Sequence, residues 1–313
     1  MKKLPFSSLR KLLFIVLIGY LPVQVQAKEI VFAFDNTLTG PGSLDGMART
    51  KMLINSMARA DVKQAMFLIK TKAITPKTLE RLHYYDQTGQ LLVNAGHEFS
   101  LLHRPKNYAY AIDILKANAA LEPYAHYYKH ISYPFLHGYG DPQLTGQLRN
   151  FLAEHGYLPT YTTTYVHDEY MDHLYQLRIK GGRSVEIRQL EKAYINMVLD
   201  TVISYDTKAR MRIGFSPRQV LVLHENDLAA YCVIGLIDAL NEQGFNVIAP
   251  EKVFTDPVVN PYFAADFSGR SNAAVFAGLN EGYGYQADVA SAEDKIKIHH
   301  YLQKQGLDTL IPQ

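Results

Sequence analysis

Residues 219–228 read Gln219-Val220-Leu221-Val222-Leu223-His224-Glu225-Asn226-Asp227-Leu228. Positions 220–223 are an unbroken aliphatic run, the pattern of a strand buried on both faces of a parallel sheet. Four polar residues follow at once. Residues 228–243 then carry helical spacing, and Gly244 ends the helix. Strand, polar corner and helix together make one β-α unit.

The same unit recurs on both sides of this stretch. Strand patterns are predicted at 29–34, 65–69, 91–94, 130–135, 159–164 and 246–249. Helical spacing is predicted at 45–59, 76–85, 108–120, 144–155 and 185–211, with Thr75 as a cap and Pro76 in the first turn of the second. Alternation of this kind specifies an α/β fold with a parallel sheet, and about seven repeats point to a distorted (β/α)7-type barrel. Beyond the last strand the pattern weakens. Residues 260–290 are rich in Gly, Ala, Ser and Asn, and 292–305 suit a final helix. The expected organisation is therefore a leader over 1–27, a barrel over 28–258 and a C-terminal extension over 259–313.

The leader reads as a secretory signal. Lys2, Lys3, Arg10 and Lys11 precede the apolar run at 12–19, and Val25 and Ala27 stand at the −3 and −1 positions of a cleavage site. An uncleaved membrane anchor is the alternative, although the run is short for a span. A periplasmic or secreted location follows, with no stable membrane span after cleavage. The leader also explains the sign of the charge. The whole chain of 313 residues is formally +2. Removing the 27 leader residues, with four basic and no acidic side chains, leaves 286 residues with 28 basic and 30 acidic ones, net −2. That balance gives no electrostatic case for nucleic acid as a partner. The single cysteine, Cys232, excludes an intrachain disulfide and a cysteine zinc site, and its apolar neighbours suggest a buried thiol.

In barrels of this kind the working residues sit at the C-terminal ends of the strands. The places to look are Asp35, Asn94, 134–137, 165–168 and His224. Asp35 and His224 each follow a buried strand directly. They are open to two readings: an acid–base pair at one barrel mouth, or a structural carboxylate and imidazole satisfied by nearby backbone.

The order of segments from Glu29 to Asp256 resembles the polysaccharide deacetylases of the NodB-homology kind. Ala33-Phe34-Asp35-Asn36-Thr37 matches the family's T-F-D-D-[GA]. Ser132-Tyr133-Pro134-Phe135 matches R-x-P-[FY], and Leu223-His224 matches the strand that ends L-H. The resemblance implies hydrolysis of a C–N amide in an N-acetylated carbohydrate, the suspected partner. It implies a divalent metal, usually zinc, held by Asp-His-His, with the first Asp as base and the last His as acid. It thereby assigns Asp35 and His224 the catalytic places, and Tyr133, Pro134, Phe135 and Tyr165 the substrate side.

The metal set is not matched. Asn36 replaces the ligand Asp, and in the best register of residues 89–99 Ala95 and Phe99 replace the two His. The other register gives Leu102 and Lys106. None of these holds zinc as imidazole does. Ser132 replaces the Arg that supports the base, and Tyr165 takes the place of a fourth-motif Asp. No cofactor is therefore expected, unless a divalent metal is relocated to Asp35, His97 or His103, His137 and His224. Three functions remain open. They are a carbohydrate-binding scaffold that has lost its zinc chemistry, an active deacetylase with a relocated metal, and a structural role for the extension.

Overall fold

Strand β1 (Lys28–Asp35) is the hub of the fold, because its apolar residues alternate between two cores. The computed structural model describes residues 27–40, 42–98, 107–131, 147, 150–159, 162–182, 184–255 and 292–311. Ile30, Phe32 and Phe34 face the larger core with the helices, while Val31 and Ala33 face a second core with Met66, Leu68, Val220 and Val222. A period of two places successive side chains on opposite faces, so a strand apolar at every position must be covered on both.

The other strands are β2 (Met66–Ile69), β3 (Leu91–Asn94), β4 (Tyr127–Ile131), β5 (Leu158–Pro159), β6 (Thr164–Tyr165), β7 (Gln219–His224) and β8 (Phe245–Val247). Every pairing is parallel, in the order β5-β4-β3-β2-β1-β7-β6, with β8 on the start of β1. The α/β class and the parallel sheet agree with the sequence reading. The barrel is not closed among the described residues: β5 and β6 are the two ends of the sheet. Each is two residues long, and Pro159 has no N–H to extend a ladder. The single strand expected over 159–164 is thus two short pieces.

The described helices include α1 (Gly46–Arg59), α2 (Leu79–Gln87), α3 (Asn107–Leu121), α4 (Asp168–Lys180), α5 (Ser184–Ile213), α6 (Asp227–Glu242), α7 (Glu251–Phe254) and α8 (Ala292–Lys304), and residues 150–154 are helical as well. Asp45 caps α1, its carboxylate accepting from the Met47 and Ala48 amides. Helix α2 starts later than the Pro76 signal implies. The Thr75 amide donates to the Thr78 hydroxyl, which donates to the Ala73 carbonyl, and this turn delays the helix. Strand β4 starts earlier than the expected 130, at Tyr127, with a register set by pairing with β3 through an irregularity at Val93 and Asn94, while 132–135 lie outside the described residues. Helix α8 packs on the barrel: Ile298 and Leu302, with Leu310 beyond the helix, join the larger core. Among the described residues no helix is long and apolar enough to cross a membrane.

Candidate functional site

Strands β1 and β7 are in register from Ile30 opposite Gln219 to Asp35 opposite His224. Because Asp35 and His224 are the last residues of their strands and stand opposite one another, both strands end at the same mouth. Asp35 is buried and accepts the Asn36 amide at 2.7 Å, and its own carbonyl accepts the Glu225 amide at 2.9 Å. Asn36 then turns the chain with φ of 52°, a left-handed conformation that Asn tolerates.

His224 is fixed on both sides of its ring. Nδ1 lies 2.6 Å from Asp168 Oδ1, and Nε2 lies 3.1 Å from the Tyr165 hydroxyl. Asp168 is itself held. It accepts the His224 amide at 3.1 Å, the Asn226 side-chain amide at 3.0 Å and the Tyr194 hydroxyl at 3.5 Å. Glu169 Oε2 stands 3.4 Å from the same Nδ1. Burial disfavours the imidazolium, but the Asp168 carboxylate outweighs it, aided by Glu169 and Asp35, and lifts the His224 pKa to about 9. At neutral pH His224 is therefore a cation and a donor on both nitrogens.

Asp168 is the residue that the sequence reading assigned no role. The region 165–168 was marked as a strand end, but the helix that follows was not. Its signal is present: Met171, Leu174 and Tyr175 are buried at helical spacing, while Glu169, Asp172, His173 and Gln176 share the other face. That second face forms one wall of a cavity of about 380 Å³. The rest of the lining is Asn36, Gly40, Gly42 and the 224–226 corner, with Lys180 from the end of α4. Burial drives the Asp172 carboxyl up to about 6, helped by neighbouring Asp227.

Two buried ion pairs hold the corner in place. Glu225 accepts Arg81 Nη2 at 2.9 Å and is bonded by the Tyr85 and Thr50 hydroxyls, which ties β7 to α1 and α2. Asp227 pairs with Arg49 Nη1 at 3.2 Å and accepts the Ser43 and Leu44 amides at 2.6 and 3.0 Å. Arg49 also donates to the Thr39 and Gly40 carbonyls. Thr39, Gly40, Ser43 and Leu44 are thereby tied to the start of α6 beside the strand ends. Position 42 must be glycine, since a Cβ there would lie 2.4 Å from Asp227 Oδ1.

The sequence-marked residues fall as follows. Asp35, Asn36 and His224 meet at one mouth, and Tyr165 joins them through its hydroxyl. Tyr165 is buried, packed edge-on against His167 and His224, and is not part of the cavity wall. Ala95 follows β3 and is buried. Tyr133, Pro134, Phe135 and Phe99 lie outside the described residues, as do His103 and His137. His97 is elsewhere engaged, within 2.9 Å of the Thr71 hydroxyl.

Solved structures of similar fold exist. Wild-type BA3943 from Bacillus anthracis, described as a CE4 family pseudoenzyme, superposes with a TM-score of 0.50 at 11% identity, over 74% of this chain and 67% of that one. Its mutant with restored enzymatic activity gives 0.52 at 12% identity, over 74% and 69%. The fold is that of the CE4 family. Peptidoglycan deacetylase PdaC from Bacillus subtilis also matches, at TM-score 0.45 and 16% identity, over 74% of this chain and 92% of that one. No family sequence model matches the chain, and no curated protein does.

The CE4-type fold raises the question of zinc. At the resemblance's ligand places, Asn36 offers only a neutral amide and buried Ala95 offers no donor atom. The residues present do not fit the ion there. Asp168, Glu169 and His224 make another cluster with ligand-type atoms within 4.8 Å of one another. Its Nδ1 and Oδ1 are 2.6 Å apart. Two donors on a tetrahedral zinc at about 2.1 Å each stand well over 3 Å apart. The closer spacing is that of a shared proton.

Proposed function

We propose that the chain is an exported carbohydrate-binding protein on the CE4-type fold, in which zinc-dependent hydrolysis of N-acetyl groups is lost or reorganised. The observation that carries this reading is the donor set at the ligand places of the resemblance: Asn36 offers only a neutral amide and buried Ala95 offers no donor atom. His224, held between Asp168 and Tyr165, is still part of the cavity lining.

The rest of the mouth supports binding. Amides of Asn36, Gln176 and Asn226 line the cavity beside carboxylates and the His224 ring. Such a mixture of donors and acceptors suits the hydroxyls of a sugar. The leader expected over 1–27 would deliver the protein to an envelope or secreted location where glycans are met.

Isothermal calorimetry against chito-oligosaccharides and peptidoglycan fragments tests the reading. Saturable binding that is weakened by His224→Gln is expected. Absence of binding across a broad glycan panel would refute it.

A further inference from the structure

The cavity beside His224 has a charge pattern that selects a class of sugar. Its α4 wall presents Glu169, Asp172, His173, Gln176 and Lys180, spaced so that they share one helix face. Two of the carboxylates around the mouth are already matched by arginine: Glu225 by Arg81 and Asp227 by Arg49. The His224 cation is matched by Asp168. Glu169 and Asp172 have no such permanent cation. Glu169 contacts His167 Nδ1 at 3.2 Å and His224 Nδ1 at 3.4 Å, so it shares imidazoles with other carboxylates. Asp172 accepts the Leu228 amide at 2.9 Å and the Gln176 amide at 3.3 Å. Lys180 stands about 12 Å further along the helix axis than Asp172. Glu169 and Asp172 therefore stand toward the His224 end of this helix face and Lys180 toward the other end.

We infer that this cavity binds a sugar bearing a free amine, a de-N-acetylated hexosamine, with its ammonium group between Glu169 and Asp172. The inference rests on the carbohydrate reading above and narrows it. An acetamide is neutral and leaves both carboxylates unmatched in a confined space. An ammonium supplies three donors and the missing charge. The volume of about 380 Å³ is at the small end of small-molecule sites, which fits a terminal residue rather than a long chain segment. Gly40 and Gly42 present only backbone to the cavity, and Arg49 ties Gly40 to Asp227.

The test compares glucosamine disaccharide with its di-N-acetylated form by calorimetry on the full chain, at low and high salt, with zinc ions alone as a third arm. The free-amine sugar is expected to bind about tenfold more tightly, a preference that salt erodes and that Glu169→Gln or Asp172→Asn each reduce several-fold. The exposed Asp238→Asn should leave it unchanged. Equal or tighter binding of the acetylated sugar would overturn the inference and leave the carbohydrate reading standing. No binding of either sugar would remove both. Zinc binding with the same dependence on Glu169 would give the cavity to a metal and overturn the amine assignment. The comparison of sugars on the unmodified chain does not depend on any variant folding.

Discussion

Replacing Asp168 by Asn tests the electrostatics of the site directly. The substitution keeps the shape of the side chain and removes one charge 2.6 Å from His224 Nδ1. Unit charges about 4 Å apart interact by about 4 kcal/mol at an effective dielectric near 20, which corresponds to about three pKa units. His224 titrates at about 9 because Asp168 overrides burial. Without that charge its pKa should fall to its ordinary value of 6.5 or below. Stability should follow with a defined sign. A His whose pKa is raised on folding stabilises fully below its unfolded pKa, and the gain disappears as pH rises through the folded value. The wild type should therefore lose roughly 3 kcal/mol between about pH 6.5 and pH 9, a loss absent from Asp168→Asn. Imidazole ¹H–¹⁵N NMR checks the pKa, with His224→Gln to identify the signal among 12 His. Urea unfolding across the same pH range checks the linkage. A wild-type His224 that titrates near its ordinary value, or a variant that still titrates near 9, would refute the reasoning.

Glu225→Gln should destabilise the fold by about 3–5 kcal/mol, because it strands the buried Arg81 cation; urea midpoints at constant slope measure this. Gly42→Ala should cost about 1–3 kcal/mol and weaken ligand binding, since its Cβ meets Asp227 and Arg49 and disturbs the ties of residues 39–44 to the start of α6. Leu302→Ala should cost about 2–5 kcal/mol if α8 is part of the core as its burial indicates, and an unchanged melting curve would contradict that packing.

The sheet was legible in the sequence because its central strands are apolar at every position. Residues 30–34 and 220–223 cannot be exposed on either face, and their polar ends mark the mouth. Asp35 and His224 were legible for the same reason. The edges were not, since β5 and β6 are only two residues long and give no periodic signal. Helix α4 was missed although Met171, Leu174 and Tyr175 carry its spacing; its polar residues Asp168, Glu169, Asp172 and His173 look like a solvated loop until the cavity is seen. The Asp168–His224 contact joins residues 56 apart in the chain, and no local pattern reports such a contact.

The central proposal is that the chain binds carbohydrate without a zinc held at the places of Asn36, Ala95 and Phe99. Elemental analysis of the purified chain after dialysis against zinc measures it most directly. The account predicts no stoichiometric zinc. A stoichiometric zinc, with amine released from an N-acetylated oligosaccharide by the same sample, would contradict it.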